Sequence, residues 1–267
     1  MSRMDTRAVM SKVPAVTLTF WIIKILATTL GETGGDSVTM TWLGETTTHP
    51  NPNGYLIGTA IFAAALVVLV ILQIAAKKFH PFLYWATIVA STTAGTTMAD
   101  FFDRSLGIGY TGGSATLLAL VLASLGAWYW SEGTVSVNTV NTPRVEAFYW
   151  ITITFSQTLG TALGDWAADT GGLGYGDGVL VFAAALAVIA LAYYFTKISH
   201  VVLFWMAFIL TRPLGATAGD LLDKPVSDGG MNISRPLASL IIAVAIVICI
   251  LVFPQRAGSH SAAPAEA

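Results

Sequence analysis

The chain has 267 residues, of which 55% are hydrophobic and only 10% charged, with a formal net charge of −2 and a mean hydropathy of +0.70. Soluble domains carry about 25% charged residues, so this composition excludes a soluble globular protein; with no basic patch it also excludes a nucleic-acid binder. The one cysteine, Cys249, lies in an apolar run, which excludes an internal disulfide.

From the N-terminus, a basic segment (Met1 to Lys12) leads into the first apolar stretch with no small-x-small cleavage site, so it reads as the start of an uncleaved membrane span. A membrane helix needs about 20 mostly apolar residues. Eight stretches qualify: 14–38, 55–76, 81–103, 113–130, 146–169, 178–196, 200–223 and 236–253. They alternate between helices studded with polar residues and plainly apolar ones. The predicted fold is therefore all-α and polytopic: one transmembrane domain over 1–267, built as four parallel helical hairpins at 13–78, 79–131, 144–198 and 199–254. The small, polar segment 255–267 is expected to be a disordered cytoplasmic tail.

The first helix of each hairpin ends in G-x-x-x-[GA]-D, as Gly31 to Asp36, Gly95 to Asp100, Gly160 to Asp165 and Gly215 to Asp220. Ten residues before each leading glycine stands a tryptophan preceded by an aromatic: Phe20-Trp21, Tyr84-Trp85, Tyr149-Trp150 and Phe204-Trp205. The tryptophans recur at spacings of 64, 65 and 55, the mark of an internal repeat. Hairpins 2 and 4 share a histidine at the helix start (His80, His200) and a second aspartate three residues after the first (Asp103, Asp223). Hairpins 1 and 3 share Thr-Leu-Gly and Phe-Ala-Ala-Ala-Leu, so the chain divides into two similar four-helix halves joined by 131–144.

With the N-terminus inside, eight basic residues fall on one side of the membrane and three on the other, which predicts both termini in the cytoplasm. Trp21, Trp85, Trp150 and Trp205 then sit as interface anchors near the inner surface, and the aspartate motifs lie toward the outer half. Four tandem copies of a two-span, tryptophan-containing repeat resemble a group of bacterial membrane proteins described as a repeat of unknown function. The resemblance covers about 13–253; it implies this topology and a bacterial inner-membrane location, but no activity.

Residues three and four apart share a helix face. Asp36, Asp100, Asp165 and Asp220, with Glu32, Asp103 and Asp223 and the threonines Thr33, Thr97, Thr161 and Thr217, therefore form columns of carboxylate and hydroxyl oxygens, the ligands a hard cation takes. On the neighbouring face, Gly31/Gly35, Gly95, Gly160/Gly164 and Gly215/Gly219 let membrane helices approach closely. The expected assembly gathers the first helices of the hairpins around an axis, with the apolar helices as an outer wall. Lys24 and Arg212 are expected to pair with carboxylates of neighbouring helices, Arg212 with one on the first or fifth helix; the alternative for Lys24 is to snorkel toward the inner surface. His80 and His200 read as interfacial residues or as an inner proton relay.

Without a Walker motif, Ser-His-Asp set, Cys-x-x-Cys or H-E-x-x-H sequence, the chain is expected not to be an enzyme and to carry no covalent cofactor. The reading that follows is a secondary transporter or channel for a small cation, foremost a divalent metal ion, with the lipid bilayer and that cation as its partners. The alternatives are a non-transporting binding or sensory scaffold and an intramembrane carboxylate enzyme.

Overall fold

The computed structural model describes residues 8–45 and 53–261. Eight helices follow in chain order: α1 (Leu18–Asp36), α2 (Gly54–Ala75), α3 (Pro81–Asp100), α4 (Gly109–Glu132), α5 (Pro143–Asp165), α6 (Gly174–Phe195), α7 (His200–Asp223) and α8 (Arg235–Val252). Their starts follow ordinary capping chemistry. The Thr17 hydroxyl accepts from the Phe20 N–H at 3.3 Å, and Thr142 accepts from Val145 at 3.4 Å, satisfying donors that a helix end leaves free. Proline opens α3 and α5, where its missing N–H costs nothing.

After their motif aspartates, α1, α3 and α5 pass into π-helical turns at Ser37–Trp42, Phe101–Ser105 and Trp166–Thr170. Each closes with a bond five residues long: Leu43 to Val38 at 2.9 Å, Leu106 to Phe101 at 3.0 Å and Gly171 to Trp166 at 2.7 Å. In repeats 2 and 3 the next helix is entered through a glycine with positive φ, Gly109 at 75° and Gly174 at 67°, a backbone that side chains resist.

The odd helices form a closed ring, α1 on α3, α3 on α5, α5 on α7 and α7 back on α1. The even helices pack outside it with a shift: α2 lies on α3, α4 on α5, α6 on α7 and α8 on α1. The second helix of each hairpin thus packs chiefly against the first helix of the next repeat, which differs from the expected self-contained hairpins. On α1, α3 and α7 a threonine two places after the leading glycine meets the shifted outer helix, and on α5 Ala162 takes that place. Thr33 accepts from Ser239 of α8 at 2.9 Å, and a Cβ at Gly178 of α6 would lie 3.1 Å from Thr217.

The interior of the ring is polar and its outside apolar, the reverse of a soluble protein. Thr28, Thr92, Thr96 and Thr161 are fully buried, while Leu180 is 67% and Leu240 61% exposed. Five helices, α2, α4, α6, α7 and α8, are long and apolar enough to cross a membrane. The threonines, glycines and carboxylates of α1, α3 and α5 lower their hydropathy, and the outer helices pack against them.

At the end of the bundle that carries both termini, the aromatic pairs close a second ring. Each first aromatic meets the tryptophan of the next repeat: Phe20 and Trp85 at 5.5 Å, Tyr84 and Trp150 at 5.9 Å, Tyr149 and Trp205 at 6.4 Å, Phe204 and Trp21 at 5.7 Å. The Tyr84 and Tyr149 hydroxyls meet at 2.5 Å. Trp85, Trp150 and Trp205 are buried and Trp21 partly so, which corrects the expectation of an interfacial belt. They point at the neighbouring odd helix, and the outward-facing surface belongs to the even helices.

Below this ring two strands, β1 (Ala8–Pro14) and β2 (Ala257–Ser261), pair antiparallel and lie against the linker at Val137–Thr139. The expected disorder from 255 onward therefore does not hold for Ala257–Ser261, whose backbone finds partners in β1. Residues 262–267 lie outside the described part. Lys12 of β1 reaches Glu146 of α5 at 2.6 Å and donates to the carbonyls of Gln73 and Ile74 at 3.2 and 3.0 Å, tying strand, α2 and α5 together.

Candidate functional site

Counted from the leading glycine of each motif, equivalent residues of the four odd helices form layers. Seven residues before it stand Lys24, Ile88, Ile153 and Phe208, and three before it Thr28, Thr92, Gln157 and Arg212. One residue after it stand Glu32, Thr96, Thr161 and Ala216, and five after it Asp36, Asp100, Asp165 and Asp220.

The glycines hold this register. A Cβ at Gly31 would overlap Thr92, one at Gly95 would come within 2.9 Å of the Gln157 and Thr158 backbone, one at Gly160 would overlap Arg212, and one at Gly215 would lie 2.8 Å from the Thr28 carbonyl carbon. Each leading glycine thus receives the residue three before the glycine of the next helix, all the way around. The second small position repeats the pattern one turn on, Gly35 against Thr96, Gly164 against Ala216 and Gly219 against Glu32. This close approach lets side chains bond backbones across helices. Thr92 donates to the Ala27 carbonyl at 3.0 Å, Thr28 to Thr211 at 3.1 Å and Thr96 to Gly31 at 3.1 Å.

All four odd helices meet at one guanidinium. Arg212 of α7 is fully buried, and its Nη2 donates to Glu32 of α1 at 2.9 Å, Thr96 of α3 at 2.5 Å and Thr161 of α5 at 2.5 Å. It fills the place that Ala216 leaves open on its own helix.

The aspartate layer lies one further turn along. Arg104 bridges Asp100 at 3.2 Å and Asp165 at 3.1 Å, while Lys224 bridges Asp220 and Asp36, each at 3.0 Å. Arg104 and Lys224 occupy the same place in repeats 2 and 4, four residues after the motif aspartate. The layer is consequently two-fold: each basic residue joins its own aspartate to that of the next repeat. Tyr55 and Tyr110 steady Arg104, their hydroxyls accepting at 3.2 and 3.0 Å. Arg235 lies 3.7 Å from both Asp36 and Asp223. Carboxylate oxygens of Glu32, Asp165 and Asp220 lie within 4.8 Å of one another, as do those of Asp36, Asp220 and Asp223, so either trio could hold a metal ion.

Several candidates sit elsewhere than expected. Thr33, Thr97 and Thr217 turn outward to α8, α2 and α6, because two positions after the glycine is the outer face. Thr161 reaches the axis, but its companion there is Thr96. Asp103 packs where Gly113 of α4 leaves room, on the outer side. Lys24 pairs with no carboxylate among the described residues and does not snorkel; it is fully buried, its ammonium 4.2 Å from the centre of the Phe208 ring. His80 and His200 are exposed at the starts of α3 and α7, and His200 stacks on Tyr193 at 4.3 Å, so they form no relay along the axis.

The candidates drawn from the sequence do not include Thr96, although it shares a helix face with Asp100, nor Arg104, Lys224 and Arg235. A signal existed for two of them: Asp-x-x-Asp followed by a basic residue occurs at Asp100 to Arg104 and again at Asp220 to Lys224.

A family model described as Repeat of Unknown Function (DUF347) matches the chain four times, over residues 19–79, 83–134, 148–199 and 203–256. No curated protein and no solved structure matches it.

Proposed function

We propose that this chain, which belongs to the family built from the Repeat of Unknown Function DUF347, is a secondary transporter for a small cation, foremost a divalent metal ion. The observation that carries the reading is the convergence of carboxylates from separate helices, Glu32, Asp165 and Asp220, with oxygens within 4.8 Å of one another. Buried carboxylates beside threonine hydroxyls suit a hard cation, and ionisable groups inside a membrane bundle mark a pathway.

Arg104, Lys224 and Arg212 act in this reading as resident counter-cations. They neutralise the carboxylates when no substrate is bound, and an arriving ion displaces them. A carrier fits better than an open channel, because the axis meets an aromatic ring at one end and bridged aspartates at the other. Parallel repeats around an axis along the membrane normal are an established carrier architecture. One observation favours a structural role for the aspartates instead: each already has a basic partner within 3.2 Å.

Flux decides between them. Proteoliposomes loaded with a metal-sensitive dye should respond to added Mn²⁺, Co²⁺ or Zn²⁺, and Asp165→Asn or Asp220→Asn should cut that response about tenfold or more while the purified protein remains folded, the loss of a charged ligand being worth well over one decade. No response to any of these cations, or wild-type flux in all four aspartate variants, would remove the carboxylate layer from transport.

The placement in the membrane belongs to the same proposal: eight spans, both termini in the cytoplasm and the aspartate end facing outward in a bacterial inner membrane. In a Cys249→Ser background, Gly172→Cys should react with an impermeant maleimide on intact cells and Lys77→Cys should not. The opposite pattern would invert the topology.

A further inference from the structure

Two layers deeper than the aspartates, the ring holds donors without a partner among the described residues. In the layer three residues before the leading glycine, Thr28 and Thr92 spend their hydroxyls on the carbonyls of the preceding helix. Their equivalents Gln157 and Arg212 do not. Gln157 is fully buried with both Nε2 and Oε1 unpartnered, and Arg212 leaves Nε and Nη1 unpartnered among the described residues. One turn nearer the termini, Lys24 is fully buried and its Nζ is also unpartnered. It rests on Phe208, which stands one turn before Arg212 on the same face of α7. Ser156, beside Gln157 on α5, adds an unpartnered hydroxyl.

The charge is unbalanced as well. Glu32 is the only carboxylate bonded to Arg212 among the described residues, and none is bonded to Lys24. With Lys24 protonated, two cations and one anion leave this part of the axis one negative charge short, and an uncompensated charge in a low-dielectric interior is costly. The guanidinium lies with Glu32, Thr96 and Thr161 and the ammonium lies on Phe208, so Gln157 stands in the layer between the two cationic groups.

We infer that Lys24, Arg212 and Gln157 form a binding site for one small monovalent inorganic anion, chloride being the simplest, on the axis at the level of Gln157. The anion takes hydrogen bonds from α1, α5 and α7 and neutralises the lysine that Glu32 cannot reach. The site is specific to this arrangement of repeats: where α1 carries Lys24, α3 and α5 carry Ile88 and Ile153. It lies on the far side of Glu32 from the aspartate layer, shares Arg212 with that carboxylate, and stands whether or not a cation is transported.

The test needs neither transport nor a metal. The detergent-purified protein, exchanged into sodium gluconate, is titrated with chloride, bromide or nitrate at constant ionic strength while its melting temperature is followed. A ligand that binds only the folded state raises it, by about 5 °C at concentrations far above Kd. The rise should saturate, and equilibrium dialysis with radioactive chloride should give one ion per chain. Lys24→Met, which restores the apolar character of the sister repeats, should fold, melt in gluconate no lower than the wild type and lose the chloride response. Gln157→Leu, which keeps both cations, should weaken chloride binding about tenfold, as loss of one donor does. The inference falls if the wild type shows no saturable anion effect, binds no chloride, or responds no differently from Lys24→Met. Should Lys24→Met fail to fold, the dialysis stoichiometry of the wild type and the Gln157→Leu response decide.

Discussion

Arg212→Gln is expected to destabilise the protein by about 3–5 kcal/mol, the cost of breaking a buried ion pair from one side. The guanidinium joins α7 to α1, α3 and α5 through Glu32, Thr96 and Thr161. Its removal leaves the Glu32 carboxylate buried at 3% exposure with no cation bonded to it. The companion change Glu32→Gln should recover most of the loss, since a pair of neutral amides can bond to each other and to the two threonines. Thermal melts of the wild type, both single variants and the double variant form the cycle that measures the coupling. Additive effects would mean that the arginine acts by packing alone. Arg104→Gln should cost less, because Arg104 is 18% exposed and water can take over its role.

Gly215→Ala should open the ring where α7 meets α1. The added Cβ would lie 2.8 Å from the Thr28 carbonyl carbon, and a backbone atom cannot rotate away as a side chain can. Overpacking of this kind costs about 1–3 kcal/mol, and Gly215→Val, with a larger and stiffer side chain, should leave no folded monomer on gel filtration. Gly34→Ala is the matched control within the first motif. Its nearest neighbour would be a Leu30 methyl at 4.0 Å, so it should be neutral or gain up to about 1 kcal/mol from helix propensity. Equal melting temperatures for Gly215→Ala and Gly34→Ala would show that the motif glycines do not set the helix spacing.

The ring of odd helices could be read from the sequence because it rests on residue size. A small residue every four positions, repeated four times in register, has few uses in an apolar helix other than close packing. The offset of the outer helices could not. Each even helix is apolar on every side, so its composition does not say which neighbour it will choose. The error over Thr33, Thr97 and Thr217 has a related cause. Threonines one and two places after the glycine are about 100° apart on a helix, and without the neighbouring helices in view nothing tells which of them faces inward. The tryptophans misled because an aromatic pair near a span's end commonly means an interface. Here the same pair fills a cross-section that four helices enclose. Arg104 and Lys224 were counted as loop charges, because a residue four places beyond an aspartate is near it only if the helix continues. The π-turn after Asp100 and the extension of α7 to Asp223 keep it going.

The shifted packing of the outer helices also sets an order of events during synthesis. Each of α2, α4 and α6 is made before the odd helix that it covers, so α3, α5 and α7 enter the bundle with a partner already waiting. The first helix has none. Its outward hydroxyls, Thr33 and Ser37, face Ser239 of α8, which is made after all the other seven helices described. Until then the ring is an open arc with α1 uncovered at its rim. Closing it also brings Ala257–Ser261 to Ala8–Pro14, so the chain's two ends clasp only when the circle is complete. A chain lacking α8 would leave the Thr33 and Ser37 hydroxyls without their partner Ser239 on the outer face of α1.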